Sequence, residues 1–161
     1  MRDALSAYLD ENGFSFDAYD EKWTEASIFG VKIRVPNTRA HRWAIMLHDL
    51  HHVATGYGTD QVGEGEISAW EARDASKSGV YVASIVWMGT LGGFVLGPRR
   101  ALRAWRAGKE QRRLFGRVVA QAEYDALLAG TVGSLRARLG VPREGLADRP
   151  RALHAYAPQP A

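Results

Sequence analysis

Histidines cluster in one short segment of the chain, HDLHHVATGYGTDQVGE, which begins at His48. Three of the five histidines fall within five residues there, at positions 48, 51 and 52. His48 and His52 stand four residues apart, so on a helix both imidazoles leave the same face and can reach one ion. Pairs of helical histidines bind zinc in this way in metallopeptidases. The spacing therefore predicts a divalent-metal site.

Two carboxylates lie within reach of these histidines. Asp49 can bind the ion from the edge of the shared face, or it can orient His52 by accepting a ring N–H. Glu64 follows the glycine-rich turn GYGTD at the start of the next helix, where it would face the histidines. The chain has no cysteine, which leaves imidazole and carboxylate as the metal ligands. We therefore predict that His48, Asp49, His52 and Glu64 bind zinc, with ferrous iron as the alternative.

Other polar residues near the motif could also take part. Glu71 shares a helix face with the glutamate of the motif, and it could hold a ligand in place or transfer a proton. We predict Asp49 and Glu71 as the catalytic acid-base residues. His41 either lines the pocket or is a plain residue at the start of its helix. His51 points away from the face shared by His48 and His52, so packing or a surface position is expected, with contact to the substrate as the alternative. His48 or His52 taken alone would be only a hydrogen-bonded side chain at a capped helix end.

Two helices joined by a turn must position these residues. From Thr38 onward, apolar residues recur every three or four positions, which predicts a helix that ends at Gly56. Thr59 or Asp60 can then cap a second helix, which runs to about Ser78. The glycine-rich turn between them brings the start of the second helix back towards the end of the first.

The rest of the chain also favours helices. We predict a short helix over 1–12, a loop or short strand over 13–36, a basic helix around Trp105, and a helix over 114–128 with Phe115, Val118, Val119 and Leu127 inward. A proline- and arginine-rich tail from about residue 142 is expected to be loosely attached. No repeat or low-complexity linker divides the 161 residues. The prediction is a single all-α domain, a helical bundle over residues 1–161.

An uncharged stretch, residues 79–98, precedes a strongly basic run. The stretch is long enough to cross a bilayer, but its five glycines equally suit a buried core helix or a helix that binds a prenyl chain. The arginines that follow could bind anionic lipid headgroups, with Trp105 at the interface, or form a solvated face. No aromatic-basic platform or recognisable reading helix supports nucleic acid as a partner.

Composition sets the broad class. Apolar residues make up 46% and charged residues 24%, the balance of an ordinary globular protein. The first residues, MRDALSAYLDENG, lack the uninterrupted apolar core of a secretory signal, so a cytoplasmic location is expected.

The motif also resembles that of a known family. The signature of the ubiquinone (coenzyme Q) biosynthesis protein 4 family is similar to His48-Asp49-x-x-His52 followed by eleven residues and Glu64. The flanking segment TGYGTD also resembles the usual sequence of that family. The resemblance continues more weakly through the segments AWRAGK, YDALLAG and LRARLGVP, so it covers roughly residues 39–142. This chain departs from the family in a shorter N-terminal part and in Glu66, which stands where an apolar residue is usual and becomes a competing ligand.

The resemblance implies an all-helical enzyme that removes the ring carboxyl from a polyprenylated hydroxybenzoate, with hydroxylation at the same carbon. It implies a polyprenylated phenolic substrate, peripheral contact with the inner face of the membrane, and other quinone-biosynthesis enzymes as partners. A homo-oligomer is compatible with this expectation. The alternative is a non-catalytic organiser that binds a prenyl lipid and presents it to those enzymes.

Overall fold

Helices form most of the protein. The computed structural model describes residues 1–28 and 31–148. Within those ranges the predicted all-α class is confirmed, with seven α-helices: α1 (Arg2–Glu11), α2 (Arg39–Thr55), α3 (Gln61–Glu71), α4 (Val80–Leu96), α5 (Pro98–Ala107), α6 (Gln121–Ala129) and α7 (Val132–Leu139). Two strands, β1 (Trp23–Ile28) and β2 (Val31–Pro36), pair antiparallel with Trp23 opposite Pro36. Short 3-10 helices cover Phe16–Asp20 and Ala75–Ser78.

The core combines apolar side chains with residues of the histidine motif. Leu47 and Leu50 of α2 and Trp70 of α3 are at most 1% exposed. His51 and His52 belong to the same group of large, fully buried side chains, as does Glu71. Buried polar groups must find hydrogen-bond partners inside the protein. His51, His52 and Glu71 are therefore internal, whereas the side chains of His48 and Glu64 are 25% and 43% exposed and leave one side of the motif open to solvent.

Helices α3 and α4 cross at closely packed glycines. A Cβ atom on Gly65 would lie 2.3 Å from the Cα of Gly93, closer than real carbon atoms approach. A Cβ on Gly89 would likewise lie 2.3 Å from the hydroxyl oxygen of Ser68. Glycine is required where Gly65 meets Gly93 because the two helix backbones nearly touch, whereas a Cβ on Gly89 would displace the side chain of Ser68.

The uncharged stretch forms α4, which is buried on one face only. Val82, Val86 and Thr90 are buried, whereas Leu91 and Val95 are 64% and 74% exposed. None of the described helices combines the length and the apolar character needed to cross a membrane. The predicted core helix with glycines at close contacts is confirmed on the face that packs against α3, although the opposite face is exposed. The predicted membrane-spanning helix finds no support in the described residues.

The predicted helix over 114–128 is shorter than expected. Helix α6 begins only at Gln121, and Val119, predicted to point inward, is 73% exposed. Gly116 adopts a left-handed φ of 67°, which a continuous helix does not allow. The carboxylate of Glu123 then caps α6 by accepting the backbone N–H groups of Val119 and Ala120 at 2.8 and 3.1 Å.

The segment predicted as a loose tail is described as far as residue 148. The backbone N–H of Leu146 donates to the carbonyl oxygen of Thr55 at 2.7 Å, next to the end of α2. The remainder of the predicted tail, residues 149–161, lies outside the described residues.

Candidate metal centre

Capping residues fix the two helices that carry the ligands. The hydroxyl of Thr38 accepts the N–H of His41 at the start of α2, and the helix ends at Gly56 in a left-handed conformation with φ 80°. The carboxylate of Asp60 caps α3 by accepting the N–H groups of residues 62 and 63 at 3.0 and 2.9 Å. These caps place Glu64 in the first turn of α3.

Close backbone contact tightens the turn between these helices. A Cβ on Gly63 would lie 2.2 Å from the carbonyl oxygen of Gly58. Only a glycine therefore allows the start of α3 to lie against the turn. As a result, the side chain of Glu64 reaches back to the end of α2.

Three side chains converge on one point. The Nε2 atoms of His48 and His52 are 3.0 Å apart. One carboxylate oxygen of Glu64 lies 3.5 Å from Nε2 of His48, and the other lies 3.4 Å from Nε2 of His52. Zinc–ligand bonds of about 2.0–2.1 Å at tetrahedral angles place ligand atoms about 3.3 Å apart. The spacing of these atoms fits such a site, and the group could hold a metal ion.

The second nitrogen of each imidazole determines which atom faces this point. Nδ1 of His52 lies 3.0 Å from the carbonyl oxygen of Tyr57, which can only accept, so Nδ1 carries the hydrogen. Nδ1 of His48 lies 3.0 Å from both carboxylate oxygens of Glu71 and donates in the same way. In the neutral rings both Nε2 atoms then present lone pairs to each other. Such a pair needs a cation or a proton between them.

The charges around the centre favour a cation. Burial opposes a charge on His48, but Glu71 and Glu64 outweigh burial and raise the pKa of that imidazole well above its usual value. Burial opposes ionisation of Glu71, yet His48 and His51 lower its pKa to about 2. The neighbouring histidines also lower the pKa of Glu64. Two ionised carboxylates therefore flank the imidazoles, which favours a positive charge between them, either a proton on His48 or a divalent cation that replaces this proton.

Asp49 lies outside the three-residue group. Asp49 is 8% exposed, and its carboxylate accepts a short hydrogen bond of 2.5 Å from the hydroxyl of Tyr19. Burial raises the pKa of Asp49, while His48, Tyr19 and His52 partly oppose that rise. The predicted ligand role of Asp49 thus finds no direct contact. The residue instead forms a buried acid beside the centre.

Tyr19 is the site residue that the sequence did not reveal. It lies on the short 3-10 helix Phe16–Asp20, in a segment whose pattern supported only a loop or a short strand. Burial and the neighbouring Asp49 raise the pKa of Tyr19 far above its usual value, so its hydroxyl stays protonated. No spacing within the sequence connects this tyrosine to a residue 30 positions later.

The structure also places the other candidates. Glu66, considered as a competing ligand, faces α5 and pairs with the guanidinium of Arg100 at 3.0 and 2.5 Å. Glu71 is fully buried against His48 and His51, where it accepts hydrogen bonds and orients rings. The ring of His41 packs edge-on against Tyr81, and its buried Nε2 has no hydrogen-bond partner among the described residues.

An apolar surface bordered by positive charge lies on α4 and α5. Val80, Leu91 and Val95 of α4 are among its exposed side chains, and α4 carries no charged residue. The ring centroids of Trp87 and Trp105 lie 5.6 Å apart, so these two rings connect α4 to α5. Helix α5 then adds exposed arginines at positions 99, 100, 103 and 106.

Comparison of the chain with protein-family models, with curated proteins and with solved structures finds no match.

Proposed function

We propose that this protein is a metal-dependent enzyme that removes the ring carboxyl from a polyprenylated hydroxybenzoate in a ubiquinone-type pathway. The observation that carries the metal dependence is the convergence of His48, His52 and Glu64, with both histidines donating through Nδ1 and free to bind through Nε2. The choice of substrate rests on the resemblance of the motif to the coenzyme Q biosynthesis protein 4 family. Zinc is the proposed ion because two imidazoles and one carboxylate leave a fourth position open.

The proposed step is a decarboxylation. The bond between the ring carbon and the carboxyl carbon breaks, its electron pair stays on the ring, carbon dioxide leaves, and a proton replaces it. A divalent ion at the centre supplies Lewis acidity, which stabilises negative charge on a ring oxygen. Hydroxylation at the same carbon, which the resemblance implies, needs an oxidant and is a separate reaction from the proposed step.

Asp49 is the proposed proton donor. It is buried beside the centre, and burial raises the pKa of its carboxyl, so it retains a proton more readily than an exposed aspartate. The hydroxyl of Tyr19 orients that carboxyl. Glu71 is proposed to orient His48 and not to transfer protons, because its ionised carboxylate already accepts from two imidazoles.

Turnover of a prenylated hydroxybenzoate by the zinc-loaded protein tests the proposal. We expect loss of carbon dioxide from the substrate by mass spectrometry, near-complete loss of turnover in Asp49→Asn, and unchanged turnover in the surface control Asp10→Asn. Zinc-loaded protein that leaves the substrate intact, or an Asp49→Asn variant as active as the control, would overturn it.

A non-catalytic organiser is the second candidate, favoured by the exposed apolar face of α4. Such a protein would bind a polyprenyl lipid and present it to other quinone-biosynthesis enzymes. It predicts a prenyl lipid that co-purifies with the protein and no turnover in the same assay. Mass spectrometry of the extracted lipids, run beside the decarboxylation assay, separates the two functions.

The proposal includes peripheral contact with an anionic membrane through α4 and α5. Apolar side chains of α4 would enter the interface, while exposed arginines such as Arg99 and Arg106 bind headgroups, each contributing ~1 kcal/mol. Arg99→Gln with Arg106→Gln should therefore weaken sedimentation with phosphatidylserine vesicles by about 30-fold. The matched control makes the same arginine-to-glutamine change at two exposed arginines outside α5, Arg117 and Arg138. Equal binding by both double variants, or equal binding to uncharged phosphatidylcholine vesicles, would contradict this contact.

A further inference from the structure

His51 is the one histidine of the motif that does not face the metal centre. Its side chain is fully buried between the rings of Trp70 and Phe115, with ring centroids 5.1 and 5.0 Å away. Packing alone would suit an apolar ring in this place. Both ring nitrogens nevertheless have polar partners, so directional bonds hold the imidazole in one orientation.

One of these partners determines the tautomer of His51. The backbone N–H of Leu114 lies 2.9 Å from Nε2 of His51. A backbone amide nitrogen can only donate, so Nε2 carries the lone pair and Nδ1 carries the hydrogen. Nδ1 lies 2.7 Å from an oxygen of Glu71, and His51 therefore donates to that carboxylate.

Glu71 connects His51 to a predicted metal ligand. Its carboxylate also accepts Nδ1–H of His48 at 3.0 Å, so it is held between two imidazoles. We propose that His51 is a positioning residue, which acts through Glu71 to fix the tautomer and rotamer of His48. The hydrogen-bonded chain runs from the Leu114 backbone to the metal centre, and the inference rests on the proposed metal function. Mutation of a group that hydrogen-bonds a metal ligand directly, as Glu71 does, typically lowers metal affinity by about 10- to 100-fold.

Two substitutions test the two ring nitrogens of His51 separately. His51→Asn places an amide N–H near the position of Nδ1 and can still donate to Glu71. His51→Gln instead places an amide oxygen near Nε2, so it keeps the bond to Leu114 and loses the donor. Zinc affinity, measured by competition with a chromogenic chelator, should fall by about 10-fold in His51→Gln, the lower end of that range, and stay close to wild type in His51→Asn. Equal zinc affinity in the two folded variants would reduce His51 to a packing role.

A measurement on the unaltered protein keeps the proposal testable even if a variant fails to fold. Long-range proton–nitrogen NMR spectra of the histidine rings report the tautomer of His51 in the metal-free protein. The Nδ1–H tautomer is expected, and the Nε2–H tautomer would overturn the proposal even in a protein that binds zinc. Conversely, a wild-type protein with the expected tautomer that binds no zinc overturns the proposed function while leaving the hydrogen-bonded chain intact.

Discussion

At the scale of single residues, the two buried carboxylates of α3 have different partners. Glu71 accepts from His48 and His51, whereas Glu66 pairs with Arg100. Glu71→Gln replaces an acceptor oxygen with an amide that donates, so one imidazole N–H loses its partner. We expect zinc affinity to fall by about 10- to 100-fold.

Glu66→Gln is the matched control for that substitution, since it removes the same charge from a glutamate that does not contact a ligand. Calorimetric titration with zinc should give wild-type affinity for Glu66→Gln. If the two variants weaken zinc binding equally, Glu71 contributes only general negative charge and does not orient His48.

Two tyrosines test the buried acid beside the centre. Tyr19→Phe removes the hydroxyl that donates to Asp49 and should lower the free energy of unfolding by about 1–3 kcal/mol. The hydroxyl of Tyr124 is buried without a hydrogen-bond partner among the described residues, so Tyr124→Phe should leave stability unchanged or raise it. Urea denaturation followed by circular dichroism measures both. An equal loss in the two variants would contradict the assigned role of the Tyr19–Asp49 bond.

The sequence predicted the residues of the site unevenly, for a physical reason. His48 and His52 belong to one helix, so their spacing alone places them together, and Glu64 follows a turn with a recognisable pattern. The bonds from His51 to Leu114 and from Tyr19 to Asp49 join segments 63 and 30 residues apart. Only the folded core brings those segments together, and no local pattern encodes their contact.

At the scale of elements, the crossing of α3 and α4 depends on glycine. Gly65→Ala adds a Cβ that would lie 2.3 Å from Gly93, so the helices must separate. We expect a loss of about 1–3 kcal/mol in the free energy of unfolding, as for other overpacked contacts. Thermal or urea denaturation measures the change.

The control for that crossing is Gly133→Ala on α7. A Cβ there meets nothing closer than 3.7 Å, so alanine should be neutral or stabilising by about 0.5–1 kcal/mol. A Gly65→Ala variant as stable as this control would show that the crossing tolerates a methyl group and that the close approach is not needed.

Element boundaries were predicted well where capping residues are local. Thr38 and Gly56 bound α2, and Asp60 caps the start of α3, as predicted, because caps act within a few residues. The predicted end of α3 at about Ser78 was wrong, since the α-helix ends at Glu71. The predicted helix over 114–128 was wrong in its first half, since Gly116 turns the chain and Leu114 and Phe115 pack into the core instead. Apolar spacing cannot distinguish a buried loop from a buried helix face.

At the scale of the whole molecule, the metal should stabilise the fold, because its ligands join α2 to α3. An ion present at one hundred times its dissociation constant adds about 2.7 kcal/mol, which for a chain of this size raises the melting temperature by about 5–11 °C. His52→Ala should melt at the same temperature with and without zinc. Differential scanning calorimetry measures both proteins, and a zinc-induced rise retained by His52→Ala would place the ion elsewhere.

The proposed metal function depends on the binding of one metal ion by His48, His52 and Glu64. Elemental analysis after equilibration with zinc and dialysis tests it most directly, on the wild type and on Glu64→Ala. Glu64 suits this test because its side chain is 43% exposed, so its removal should leave the fold intact. We predict about one zinc ion per wild-type chain and almost none in Glu64→Ala. A wild-type protein that retains no metal, or a Glu64→Ala variant that retains as much as the wild type, would contradict the claim.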